Sequence, residues 1–248
     1  QAKHLDGFGP IVDGFDQVAF GDLNSIENAM TNETAAVIIE PIQGEGGIRP
    51  MDFSYIQNLR KICDQNGVLL IVDEVQSGIG RTGKLFAYQH AAVSPDIVSL
   101  AKGLGGGFPI GACIARSDVA ASIGPGSHGS TFGGNPLATA VAGAVLDVIL
   151  APGFLEHVRK ISSLFLSELE LLVSNYPMLF SEVRGLGLMI GLKCNENLEN
   201  GLFVKSLMEK RLLTVPAGEN VIRLIPPLTI DEAHVGEAMD ALDETSRF

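Results

Sequence analysis

Apolar residues in the first half of the chain form short runs that end next to charged residues. Residues 35–39 are followed by Glu40, and residues 68–72 are followed by Asp73. A third run covers residues 97–100. Short uninterrupted runs rich in β-branched residues are typical of parallel strands that are covered on both faces. The pattern therefore predicts three buried strands of one sheet.

Between the first two runs, the apolar residues change to a helical spacing. Those that fall on one helical face are Phe53, Ile56, Leu59, Ile62 and Cys63. Asp52 is suited to cap the start of this helix, and Gly67 is suited to end it. Strand, helix and strand in this order predict a β-α-β unit.

The alternation of strand and helix patterns continues and divides at Pro152-Gly153. The pattern predicts further strands over residues 110–115, 182–193 and 221–225, and helices over residues 137–150, 154–175 and 202–211. Asp231 is suited to cap a last helix that runs through Leu242. The sequence thus predicts an α/β protein with a mostly parallel sheet flanked by helices. We expect a large domain over residues 1–152 and a smaller C-terminal α/β domain over residues 153–248.

Composition limits the kinds of protein and partner. Of the 248 residues, 46% are hydrophobic, which is enough for a substantial buried core. The 29 acidic and 17 basic residues give a formal net charge of -12, which disfavours nucleic acids and anionic membrane surfaces as partners. The uncharged stretch over residues 133–146 is followed by Asp147 and is too short for a membrane span.

The cysteines and histidines predict neither a disulfide framework nor a metal site. Cys63, Cys113 and Cys194 lie far apart and form no C-x-x-C pair. The five histidines are scattered without the spacing of metal ligands. We therefore expect no bound metal and a reducing compartment, the cytoplasm.

Three of the predicted strands end next to charged residues that could meet at one edge of the sheet. These residues are Glu40, Asp73 and Lys102. Ligands of open α/β sheets bind at the carboxyl ends of the strands, so the three side chains are candidates for a functional site. The alternative is that each charge simply marks where a buried strand meets solvent.

Four segments resemble the class III aminotransferases that depend on pyridoxal phosphate. In chain order they read EPIQGEGG (40–47), IVDEVQSGIGRTG (71–83), SLAKGLGGGFPIG (99–111) and GSTFGGNP (129–136). Within this class, LTVPAG (213–218) and VIRLIPP (221–227) are most similar to acetylornithine and succinylornithine aminotransferases. The resemblance extends from about Asp6 to the last helix. It implies the fold of the type I transferases that use this cofactor.

The resemblance implies that Lys102 is the catalytic residue and carries pyridoxal phosphate as a Schiff base. Its amine must be unprotonated to form the imine and then acts as the base that moves a proton between substrate and cofactor carbons. Because burial lowers the pKa of a lysine, we expect Lys102 to be buried. Asp73 would hold the proton on the ring nitrogen of the cofactor, since an anion stabilises a pyridinium.

The resemblance assigns the remaining cofactor contacts to residues after these two strands. Val75 would pack on the ring face, and Gln76 would bond to the ring hydroxyl. Glu74 is included among the cofactor-binding residues. Thr131 would donate to the cofactor phosphate in the neighbouring subunit, which implies a homodimer with shared active sites. Val75 and Gln76 could instead be ordinary loop packing, and Thr131 part of a simple helix entry.

The substrate contacts implied by the resemblance involve a removable ion pair. Arg223 would bind the carboxylate of an amino acid, with Glu45 as its partner at rest, because a guanidinium binds a carboxylate through two parallel bonds. Ser130 would lie beside the substrate, and Glu40 would support the site. The alternative for Arg223 and Glu45 is that both are surface charges.

Taken together, the resemblance implies transfer of the amino group of N2-acetyl-L-ornithine, or of a related ω-amino donor, to 2-oxoglutarate in arginine metabolism. Other class III activities remain open, with ornithine, succinylornithine or 4-aminobutyrate as donor, or with aminomutase chemistry. The match begins inside the large domain of the family, so we expect an N-terminal portion to be absent. A truncated, non-catalytic remnant that serves as an interaction module is therefore a second hypothesis.

Overall fold

The structure, a computed structural model, describes residues 5–247. Its first sheet has the order β1 (Ala36–Ile39), β4 (Leu69–Asp73), β5 (Ile97–Leu100) and β6 (Ala112–Ala115). The first three of these strands are parallel, and β6 runs antiparallel to β5. All four predicted strands of the first half are therefore confirmed, and the sheet is mixed at the β6 edge.

The second sheet is antiparallel throughout. Its order is β7 (Phe180–Leu186), β8 (Met189–Cys194), β10 (Val221–Leu224) and β9 (Val215–Ala217). The prediction of one strand over residues 182–193 was wrong, because the chain reverses there between β7 and β8. Gly187 adopts a φ of 62° at the reversal. This backbone conformation is open to glycine, and the hydrophobic pattern around it does not reveal the turn.

Helices cover one face of each sheet. The helices before Pro152 are α1 (Leu23–Ala29), α2 (Phe53–Asn66), α3 (Ser117–Ala120) and α4 (Pro136–Ile149), with short 3-10 helices over Ala87–Ala91 and Lys102–Gly105. Those after it are α5 (Phe154–Asn175), α6 (Asn200–Glu209) and α7 (Glu232–Ser246). The predicted caps Asp52 and Asp231 accept hydrogen bonds from the first turns of α2 and α7. Gly67 ends α2 in the left-handed conformation, as predicted.

A small hairpin connects the two sheets. It consists of β2 (Ile42–Gln43) and β3 (Arg49–Pro50), which the sequence did not predict. Ile42 and Ile48 of this hairpin pack with Met189 and Val221 of the second sheet, and all four are buried. The opposite face of β10 packs in the core formed with α5, α6 and α7. Every residue of β10 is therefore buried, with Arg223 among them.

Some apolar side chains of the first half remain exposed. Ile38 on β1 is 64% exposed, so the expectation that β1 is covered on both faces was wrong. Within residues 5–247, α2 covers only the face of β1 that carries Ile39. Phe132 and Leu137 near the start of α4 are 81% and 61% exposed. Among residues 5–247, no single helix is long and apolar enough to span a membrane. Only α4 and α5 taken together have that length and apolar content, and a bend of 70° separates them.

A buried carboxylate ties the first sheet to α2. Asp96, 2% exposed, accepts hydrogen bonds from Arg60 at 2.7 Å and Leu70 N at 2.7 Å, and pairs with Arg116 at 2.6 Å. We expect Asp96→Ala to lower the free energy of unfolding by about 3 kcal/mol, because it leaves the half-buried Arg60 without this partner. Urea denaturation would measure the loss. Asp118→Ala, which removes an exposed carboxylate paired with Arg116, is the matched control; equal losses in both variants would contradict the prediction.

Candidate active site

The carboxyl ends of the three parallel strands meet at one edge of the first sheet. Glu40 follows β1, Asp73 ends β4, and Lys102 follows β5 after one residue. Asp73 pairs in register with Ser99 of β5, which places the strand ends side by side. Burial raises the pKa of Glu40, and the charges of Asp73 and Lys102 also act on it, the first raising and the second lowering the pKa. The structure thus brings these three predicted residues together.

Lys102 begins the short 3-10 helix that follows β5. Its φ is 42°, in the left-handed region that residues other than glycine rarely adopt. Backbone conformations of this kind are frequent at functional sites, where the surrounding structure maintains them. The expectation that Lys102 is buried was wrong, since the residue is exposed. The glycines that follow it, Gly103, Gly106 and Gly107, have no side chains that could cover the amine.

The carboxylate of Asp73 is held in a fixed orientation by the main chain that follows it. Its Oδ1 accepts a hydrogen bond from Val75 N at 2.8 Å. Asp73, Val75 and Gln76 are all half-buried, as expected of side chains at the rim of a site. An anchored carboxylate keeps its second oxygen in one place, so it is suited to bind a cationic ring nitrogen.

Glu74 takes a structural part instead. It is 1% exposed; its Oε2 accepts from Ser77 Oγ at 2.7 Å, and its Oε1 accepts from Tyr88 N at 2.8 Å. Burial raises the pKa of this carboxyl. These bonds hold the 3-10 helix Ala87–Ala91 against the end of β4. They engage both carboxylate oxygens within the fold, and the predicted contact between Glu74 and a cofactor stays a prediction.

Arg223 and Glu45 form an ion pair across the boundary between the sheets. Arg223 Nη1 donates to Glu45 Oε1 at 2.6 Å and to Gln76 Oε1 at 3.1 Å. The hydrogen bond from Arg223 is the main cause of a lowered pKa of Glu45, and the charge of Lys102 lowers it further. Arg223 is 8% exposed, and its buried Nε has no hydrogen-bond acceptor among residues 5–247. Arg223 is therefore not a surface charge, although the Glu45 side chain is 60% exposed, and the guanidinium retains a donor that is not satisfied.

Two further residues organise the site: Glu40, for which the sequence predicted a supporting role, and Arg81, for which it predicted none. Glu40 Oε2 accepts from Gly44 N at 2.9 Å, which anchors the turn that carries Glu45. Arg81 donates to Leu188 O at 3.1 Å and to Pro226 O at 2.5 Å, and burial lowers its pKa to about 10. Arg81 thus binds the first half of the chain to the second sheet. The only sequence signal for it was its place in segment 71–83.

Ser130 and Thr131 lie in the segment just before α4. Both are exposed, and Ser130 Oγ accepts from Gly133 N at 2.9 Å. Asn135 caps α4 by accepting from Ala138 N at 3.0 Å. Within the part of the chain that the structure describes, no hydrogen bond joins Ser130 or Thr131 to Lys102 or Asp73. Their predicted contacts with substrate and with the phosphate of a neighbouring subunit stay predictions.

Comparison with known proteins matches both halves of the chain. Residues 5–245 match the family model of class-III aminotransferases. The acetylornithine aminotransferases of Mesorhizobium japonicum and Agrobacterium fabrum are 53% and 54% identical to the chain, over 98% and 96% of its length. A solved structure of ornithine aminotransferase from Toxoplasma gondii, with PLP at partial occupancy in its active site, matches with a TM-score of 0.94 and 35% identity. That match covers 99% of this chain and 59% of the other.

The chain spans about 60% of the length of the curated relatives it matches. The fold type I assignment is confirmed, because the structural match includes both sheets and the hairpin between them. The family model, which matches residues 5–245, likewise includes every strand end and loop that forms the candidate site. The chain therefore belongs to the class-III aminotransferase family.

Proposed function

We propose that this chain carries the catalytic residues of a pyridoxal-phosphate-dependent aminotransferase. The reaction is transfer of an amino group from N2-acetyl-L-ornithine, or a related ω-amino donor, to 2-oxoglutarate in arginine metabolism. One observation carries the proposal: Lys102 and Asp73 lie at neighbouring strand ends of the first sheet, and Arg223, paired with Glu45, also donates to Gln76, three residues after Asp73. The similarity to acetylornithine aminotransferases supports this choice of donor.

The residues at the sheet edge fit the cofactor chemically. Pyridoxal phosphate has an aldehyde and a pyridine nitrogen, and the site has an exposed amine on Lys102 and an anchored carboxylate on Asp73. When bound, the cofactor supplies an electron sink for the negative charge that develops on the substrate carbon. Lys102 Nζ would bind it covalently, and Asp73 would bind its ring nitrogen.

The chain's own residues then have distinct tasks. Lys102 Nζ would act as the general base that takes a proton from the substrate carbon and then as the general acid that delivers it to the cofactor carbon on the other side of the nitrogen. The Asp73 carboxylate would keep the ring nitrogen of the bound cofactor protonated, since an adjacent anion stabilises the cationic form. Glu40 maintains the turn that places Glu45 opposite Arg223.

The Glu45–Arg223 pair explains how one site accepts two kinds of substrate. With the pair closed, Arg223 is occupied, and an ω-amino donor presents its terminal amine to Lys102. With Glu45 turned away, Arg223 binds the carboxylate of 2-oxoglutarate or glutamate through parallel hydrogen bonds. The Glu45 side chain is 60% exposed, so it can turn into solvent at low energetic cost.

Replacement of Arg223 tests this function. We expect Arg223→Lys to raise the KM for 2-oxoglutarate by about tenfold to a hundredfold, because lysine cannot form the two parallel bonds to a carboxylate. The KM for the ω-amino donor should change much less. Steady-state kinetics with each substrate varied in turn would measure both. Arg159→Lys is the matched control, since Arg159 donates to Gly83 O elsewhere in the fold; equal effects on both KM values would overturn the role of Arg223.

Two alternatives differ in what the protein does with the same site. Ornithine, succinylornithine or 4-aminobutyrate could replace the donor, and the match to an ornithine aminotransferase structure favours a test of ornithine first. Assays with a panel of donors decide between them. A non-catalytic remnant is the other alternative, favoured by the exposure of Lys102. Visible absorption after addition of pyridoxal phosphate separates it from an enzyme, since a remnant would show no band beyond that of the free cofactor.

We also propose that the protein acts as a homodimer in the cytoplasm. Phe132 and Leu137, which follow Ser130 and Thr131 in the chain, are exposed, and we expect them to contribute apolar surface to the interface. The cytoplasmic location rests on the spacing of the cysteines alone. Light scattering would give the mass in solution, and a monomeric mass would argue against shared active sites.

A further inference from the structure

The turn that carries Glu45 is fastened to the second sheet by its main chain. The turn connects β2 to β3 over residues 44–48. Gly218 N donates to Glu45 O at 2.9 Å, and Arg184 Nε donates to Gly47 O at 2.8 Å. A Cβ atom on Gly47 would lie 2.5 Å from Gly218 O, so the two loops touch backbone to backbone. The main chain at Glu45 is therefore fixed, whereas its side chain is 60% exposed.

Arg184 and Arg223 stand in one row across the second sheet. Arg184 of β7 pairs with Gly191 of β8, and Gly191 pairs with Arg223 of β10. Directly paired residues of antiparallel strands point to the same face, so both guanidinium groups lie on the face that meets the hairpin. Ile48 fills the space over Gly191, where a Cβ atom would lie 2.9 Å from Ile48 Cβ. One arginine thus binds the side chain of Glu45 while the other binds the main chain of the same turn.

Glu219 completes the attachment of Arg184. Arg184 Nη2 donates to Glu219 Oε2 at 2.7 Å, and Arg49 lies 3.3 Å from the other carboxylate oxygen. The planar guanidinium of Arg184 bonds a carbonyl and a carboxylate at once, which a lysine ammonium cannot reproduce in the same geometry. Ile48 has a φ of 50°, which β-branched residues avoid, so the shape of the turn depends on the contacts that hold it.

We propose that Arg184, together with Glu219, is a positioning residue that determines how strongly Glu45 occupies Arg223. The inference rests on the proposed function of Arg223 as the binding residue for substrate carboxylates. Because Arg184 fixes the main chain of the turn, Glu45 loses little conformational freedom when it pairs with Arg223. A loosened turn weakens the pair. A substrate carboxylate then displaces Glu45 from Arg223 more easily.

Binding of glutarate, a dicarboxylate without an amino or keto group, tests this inference. Isothermal titration calorimetry on the protein loaded with pyridoxal phosphate measures its affinity without turnover. We expect Arg184→Lys to bind glutarate about fivefold more tightly than the wild type, which corresponds to a loss of about 1 kcal/mol from an exposed ion pair. Glu219→Gln should act in the same direction. Glu182→Gln is the matched control, since it removes a carboxylate 3.9 Å from Arg184 and should leave the affinity unchanged.

A double-variant cycle separates positioning from a general structural role. In the Glu45→Gln background, Arg184→Lys should no longer change glutarate affinity, because the pair on which Arg184 acts is already removed. The inference is overturned if wild-type affinity is retained in both Arg184→Lys and Glu219→Gln, or if the Arg184→Lys effect persists without Glu45. If wild-type binding of glutarate does not depend on Arg223, as shown by Arg223→Lys, the proposed function of Arg223 fails, and this inference fails with it.

Discussion

Replacement of Lys102 by arginine should lower the rate of amino transfer by about a hundredfold to ten-thousandfold, the range expected for loss of a positioned acid–base group. Arginine keeps the positive charge near Glu40 and Glu45, whose pKa values respond to Lys102. It does not supply an unprotonated nitrogen at neutral pH. The variant thus separates the charge of Lys102 from its ability to bind an aldehyde and to move a proton.

Two measurements check the Lys102→Arg prediction. Steady-state assays give the loss of rate, and borohydride treatment followed by peptide mass analysis shows which lysine binds pyridoxal phosphate. Lys61→Arg is the matched control, because the Lys61 amine lies on the exposed face of α2 and donates to Asn58 at 3.3 Å. A variant at position 102 with the wild-type rate, or a borohydride adduct on another lysine of the wild type, would contradict the assignment.

The strand ends could be predicted from the sequence because their signals are local. An apolar run followed by a charged residue places Glu40 and Asp73 at the end of a strand, and parallel pairing then places both at the same edge. Sequence could not predict whether Lys102 is covered. Its cover depends on residues distant along the chain or on another chain, because its own neighbours, Ala101 and Gly103, are too small to cover it.

The contacts of Arg184 could not be predicted from the sequence, for a different reason. Its segment looked like one strand over residues 182–193, and the reversal at Gly187 leaves the hydrophobic pattern unbroken. Without that reversal, the row from Arg184 through Gly191 to Arg223 does not exist. The resemblance pointed to Arg223 and Glu45, whereas only the register of the antiparallel strands pointed to Arg184, which holds the turn that carries Glu45.

The carboxyl groups of Glu40, which follows β1, and of Glu45, on the turn between β2 and β3, have opposite electrostatic surroundings. Burial raises the pKa of Glu40, whereas the hydrogen bond from Arg223 lowers that of Glu45. A group whose pKa is lowered by folding contributes stability above its ordinary pKa and loses it as the pH falls through the lowered value. The Glu45–Arg223 pair is therefore intact at neutral pH. Under the proposed function, a substrate carboxylate that competes for Arg223 would open the pair.

Replacement of Asp73 by asparagine should reduce turnover by about a hundredfold to a thousandfold, as expected when a preorganised charge at the reacting centre is removed. Asparagine has nearly the same shape, and its side-chain oxygen can still accept the hydrogen bond from Val75 N. The variant therefore removes the negative charge while it preserves the local structure. The loss should appear in kcat, because the charge matters most when electrons move toward the ring.

A cofactor analogue with a methyl group on its ring nitrogen provides the decisive comparison for Asp73→Asn. The analogue is permanently cationic and needs no neighbouring anion to retain a proton, so it should restore part of the lost kcat in the variant and none in the wild type. Asp64→Asn is the control, since Asp64 is an exposed carboxylate paired with Arg60 in α2. If the analogue restores nothing while the variant still binds it, Asp73 acts through the shape of the site rather than through its charge, and the pairing of Asp73 with a ring nitrogen is wrong.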